Sequence, residues 1–181
     1  GWVSTGLVTS MGTFAASWGV IGVALLLGSA TYRLSFPALQ AFSNPIQLHW
    51  YHWTALVVNT IFLAYSEGYR GFQQSFAPRV AARARYLRAH PSFVRALLAP
   101  LFCMGFFHAV TRRKIASYSL AAGIVCLVIG VRALPQPWRG IIDVGVVLGL
   151  AWGLVSLLSF TFAAFTCESF DHPCEVPQPG P

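Results

Sequence analysis

Apolar residues in this chain gather into long runs that charged residues hardly enter, separated by short stretches rich in arginine, proline and aromatic residues. About 20 helical residues at ~1.5 Å rise cross a hydrocarbon layer of ~30 Å, so each run of that length predicts a transmembrane helix. The first covers about residues 13–32 and ends at Tyr32 and Arg33, which suit the headgroup level. Residues 1–32 carry no charge, so the basic region that opens a signal peptide is missing. Leu34 to Leu48, interrupted by Pro37 and Pro45, reads as interfacial. A second span is expected over about 50–66, with Trp50, Tyr51 and Trp53 at one end and Tyr65 and Tyr69 at the other as aromatic belts. The third run, 93–111, is the weakest because Arg95, Pro100 and His108 interrupt it. A fourth covers 115–131, followed by a turn at Leu134 to Trp138, and a fifth covers 140–166. The expected fold is an all-α polytopic transmembrane helix bundle of five spans, or four plus a re-entrant segment. It occupies residues 1–166, and a polar tail with cysteine and proline follows over 167–181.

Composition supports this class. Of 181 residues, 56% are hydrophobic and 9% charged, against roughly 25% charged in ordinary soluble domains. Five acidic and twelve basic residues cannot clothe a water-soluble protein of this size, so the lipid bilayer is the first expected partner. The net charge of +7 does not point to nucleic acid, since the arginines flank apolar spans and form no basic domain of their own.

Those arginines predict orientation. Arg70, Arg79, Arg83, Arg85, Arg88 and Arg95 lie between the second and third runs, which places that segment on the cytoplasmic side. Five spans then leave eight basic residues inside and four outside; a re-entrant third run brings Arg112, Arg113 and Lys114 inside and makes the count nine against three. Charge favours four spans. The helical length of the third run favours five, as does a tail placed outside, where Cys167 and Cys174 can form a disulfide. The membrane expected is a bacterial inner membrane or an equivalent energy-transducing one.

Three patterns bear on chemistry. Gly145, Gly149 and Gly153 recur every fourth residue and give one face of the last span a smooth surface for close helix packing, against another helix of this chain or another subunit. Ala122, Cys126 and Gly130 offer a second small face, which suggests contact between the fourth and fifth spans. Residues 78–90 predict a basic interfacial helix opened by Pro78 and closed before Pro91. Val80, Ala84 and Leu87 form its lipid-facing stripe, while Arg79, Arg83, Arg85 and Arg88 reach for anionic lipid headgroups. Glu67 lies three residues before Arg70 and is placed to pair with it.

His49, His52 and His108 are the candidate cofactor ligands. In five spans they share a depth near the outer face, where imidazoles suit haem, a chlorophyll-type pigment or a metal. An ordinary interfacial placement is the competing reading. Cys167, Asp171, His172 and Cys174 are candidate metal ligands, with a Cys167–Cys174 disulfide the simpler expectation. Arg139 and Asp143, four apart, predict a local salt bridge; an ion path is the alternative. No phosphate-binding loop, HExxH, GxSxG or close carboxylate pair is present, so catalysis is not expected. The chain reads as a non-catalytic accessory or scaffolding subunit that packs with other membrane protein subunits. A cofactor-binding redox protein and a small transporter or channel are the alternatives.

Overall fold

The computed structural model describes residues 2–43 and 47–177. Among them every regular element is helical. Helix α1 covers Trp2–Gln40, α2 Trp50–Leu63, a π-helical stretch Ala64–Phe76, α3 Ala77–Ala89, α4 Phe93–Leu97, α5 Ala99–Cys103, α6 Thr111–Arg132 and α7 Trp138–Thr166. Three of these, α1 from Gly6, α6 and α7, are long and apolar enough to cross a membrane. The second expected span begins as α2, but its α-helical part has only 14 residues before the wider π winding takes over. No residue separates α2, the π stretch and α3, so helical backbone continues from Trp50 to Ala89.

The first expected span is longer than the pattern suggested. α1 passes through Pro37 without ending. That proline lies three residues from the helix C-terminus, and its missing N–H removes one hydrogen bond in the last turns. Its carbonyl accepts a bond from Gln136 Nε2 at 3.2 Å. Pro45 lies outside the described residues.

The third run is not one helix. α4 and α5 are five residues each, separated by Leu98 at φ −102° and ψ 31°. Pro100 lacks a backbone donor, Gly105 has φ +82° and His108 φ +47°, so the chain turns repeatedly where a span needs continuous helix. A count of five spans is therefore not obtained.

The chain divides into two compact units. One contains Gly1–Leu25, Phe76–Leu120 and Leu157–Pro181. Its core is made by small faces. A side chain at Gly12 would run into the carbonyl of Arg88, one at Gly19 into Cys103 and Ala99, and one at Gly22 into Pro100, so α3 and α5 approach α1 at backbone distance. Ala15, Ala16, Val20 and Val23 continue that buried surface, and Ala77, Val80, Ala81, Ala84, Leu87 and Phe102 complete it. The apolar side of α3 thus belongs to the core of this unit. The stripe predicted to meet lipid meets protein, because five alanines in thirteen residues let neighbours close on several sides.

The other unit contains Leu26–Ser75 and Ala121–Ser156. Here the glycine face of α7 finds its partner within the chain. Side chains at Gly145, Gly149 and Gly153 would meet Asn59 and Leu63, Glu67, and Phe72 respectively, so α2 and the π stretch run along that face. Asn59 Nδ2 donates to the carbonyl of Ile141 at 2.8 Å, and Trp152 Nε1 donates to Gln73 Oε1 at 2.7 Å. Glu67 faces Gly149 and makes no ion pair with Arg70. The expected contact of the fourth and fifth spans through small residues does not form: Ala122 and Cys126 are exposed, and Gly130 has open space around it.

Candidate functional site

Arg83 organises the first unit. Only 2% of it is exposed, although arginine is almost never fully buried without partners. Its partners here are backbone carbonyls. Nε donates to Phe102 at 2.6 Å, Nη1 to Cys174 at 2.8 Å and Glu175 at 3.4 Å, and Nη2 to Phe107 at 3.0 Å and His108 at 3.1 Å. The guanidinium also lies over the Phe102 ring, 4.3 Å from its centroid. Burial lowers its pKa from the ordinary value. The guanidinium still keeps its charge, since arginine starts far above neutrality.

This geometry explains why the turns after α5 hold their form. Once Pro100, Gly105 and His108 end the helix, the carbonyls of Phe107 and His108 lack helical donors, and that of Phe102 keeps only a turn bond from the Gly105 N–H at 3.0 Å. A five-donor fork supplies substitutes. The tail is captured by the same group, and Arg113 adds a salt bridge to Glu175 at 3.7 Å while the Val110 N–H donates to the Glu175 carbonyl at 3.1 Å. Arg83 is therefore not a headgroup-seeking side chain. The sequence signal for this was its position among Ala81, Ala82 and Ala84, residues that permit close approach all round.

The other three predicted interface arginines differ from it. Arg79 and Arg85 are half-buried and Arg88 is exposed. Arg85 Nη2 donates to the Glu168 carbonyl at 2.6 Å, whereas its Nη1 is shielded and meets no acceptor. The Arg88 guanidinium lies 5.5 Å from the Phe165 ring centroid. Between these side chains is a cavity of about 410 Å³, whose wall also includes Val8, Thr9 and Ala164. The tail and the basic helix are thus directly joined.

The candidate histidine ligands fall in both units. His49 and His52 belong to one unit and His108 to the other. His52 is buried, accepts the His49 N–H on Nδ1 at 3.0 Å and packs against Trp138 at 5.0 Å between ring centroids. His108 accepts a bond from Arg95 Nε on Nδ1 at 2.9 Å; desolvation and then the cations Arg95, Lys114 and Arg83 lower its pKa. In the tail, Cys167 and Cys174 are separate thiols and not a disulfide, Asp171 is exposed, and His172 packs against Phe160 and Phe170. Among the described residues no three His, Cys, Asp or Glu side chains converge as metal ligands. The predicted Arg139–Asp143 contact is present at 3.8 Å. Cys103 is fully packed, and burial pushes its thiol up to about 12, which leaves it protonated and unreactive at neutral pH. Comparison with protein-family models, curated proteins and solved structures finds no match to this chain.

Proposed function

We propose that the protein is a non-catalytic accessory subunit of a larger membrane assembly, joined to it through α6. The carrying observation is the state of that helix. Of its most apolar window only 11% is buried, against 39% for α1 and for α7, and Gly123 and Gly130 touch nothing. Glycine within a helix costs about 1 kcal/mol relative to alanine. In lipid the compensation is close backbone approach by a second helix, and Ser119 with Gly123, and Ala122 with Cys126 and Gly130, give the spacing for it. The occupant best suited to this face is a transmembrane helix of another subunit.

The topology we propose with it has four spans, with residues 93–110 re-entrant and the basic segment and tail both cytoplasmic. The bonds from Arg85 to Glu168 and from Arg83 to Cys174 support it, because a bilayer does not separate groups in contact. The nine-to-three distribution of basic residues agrees. The function is tested by purification in mild detergent with Gly123→Leu and Gly130→Leu. A partner retained by the native chain should be lost from the double variant while its unfolding temperature stays unchanged. Retention by the variant, or a native chain that runs alone at every detergent concentration, overturns the proposal.

A further inference from the structure

We infer that the cavity beside Arg85 and Arg88 binds the phosphate group of an anionic phospholipid. Three features lead there. First, its charged lining residues are both arginines, and no carboxylate lines the wall. Second, Arg85 has one hand occupied by the Glu168 carbonyl while Nη1 is shielded without an acceptor. A shielded donor on a charged group is costly to leave without a partner, and a phosphate oxygen satisfies it with a charge-assisted bond. Arg88, held beside Phe165 and exposed, supplies the second cation.

Third, the remaining wall identifies the source of the phosphate. Val8, Ala89, Ala164 and Phe165 offer apolar surface that an inorganic ion does not use but a lipid's glycerol and upper chain do. α3 ends at Ala89 and α7 at Thr166, so the cavity lies at helix ends, the level at which headgroups lie in a bilayer. This site is independent of the open face of α6.

The full-length chain in mild detergent is titrated with phosphatidylglycerol, phosphatidylcholine or inorganic phosphate, and bound lipid is counted by native mass spectrometry. Phosphatidylglycerol should be retained in preference to phosphatidylcholine, and Arg88→Gln should weaken it roughly fivefold, the change that about 1 kcal/mol per headgroup-facing arginine represents. Arg85→Gln/Arg88→Gln should weaken it further, whereas Arg132→Gln, at the exposed end of α6, should not change it. If the double variant fails to fold, Arg88→Gln alone decides, since its side chain is exposed. Equal retention of both lipids, or retention insensitive to Arg88→Gln, overturns the site. Millimolar phosphate that displaces phosphatidylglycerol completely and stabilises the native chain equally well overturns the lipid assignment in favour of a soluble phosphate compound.

Discussion

Replacing Arg83 by methionine keeps most of the side-chain volume and removes the donors. Its closest carbonyls, those of Phe102, Cys174 and Phe107, at 2.6, 2.8 and 3.0 Å, then lose the partner that the turns and tail direct toward them. The Phe102 carbonyl keeps its turn bond from the Gly105 N–H, whereas a buried acceptor left unsatisfied costs about 1–3 kcal/mol, so the low end for Cys174 and Phe107 together gives roughly 2 kcal/mol. Loss of the contact over Phe102 adds about 0.5–2 kcal/mol. Relief from burying a cation acts in the opposite direction. We expect a net loss of about 2 kcal/mol, read by titrating the protein from mild detergent into dodecyl sulfate and following helicity. Hydrogen exchange should accelerate at Phe106 to Val110 and at Cys174 to Glu175 before the rest of the molecule opens. Arg83→Lys keeps the charge but presents its donors from a single point, so it should recover only part of the loss. A methionine variant within about 0.5 kcal/mol of the native protein, with the tail still protected, would refute the idea that this residue holds the turns and tail together.

Other positions give independent checks. Gly153→Leu forces a side chain into the Phe72 ring and should cost at least the ~1–3 kcal/mol of an overpacked core; unchanged dodecyl sulfate stability would remove the close contact from the account. Asn59→Leu should cost only about 0.6 kcal/mol, the average for a hydrogen bond between membrane helices, and a loss several times larger in the same titration would mean that Asn59 holds more than the Ile141 carbonyl. A water-soluble maleimide should label exposed Cys167 readily and leave Cys103 unmodified until the protein unfolds. With Arg88→Cys added, the new thiol and Cys167 should react from the same side of sealed vesicles. Labelling from opposite sides would sink the four-span topology.

Residence in a membrane was legible in the residues themselves, because the cost of placing charge in hydrocarbon falls on each run separately and needs no knowledge of its neighbours. The expected fourth and fifth runs, 115–131 and 140–166, accordingly became α6, Thr111–Arg132, and α7, Trp138–Thr166. The glycine face of α7 was also readable, since every-fourth spacing fixes a helix face. Its partner was not: only the fold shows Asn59, Leu63, Glu67 and Phe72 against it. The fate of Arg83 depended still more on tertiary structure. A helical wheel put it beside an apolar stripe, where reaching for headgroups and turning inward are equally compatible with the pattern. The choice rests on carbonyls 19 to 92 residues away in sequence, gathered at one point by turns that leave them without helical donors. Periodicity records which side of a helix is apolar or small, but whether lipid, a second subunit or the chain's own backbone covers that side is decided only when distant segments meet.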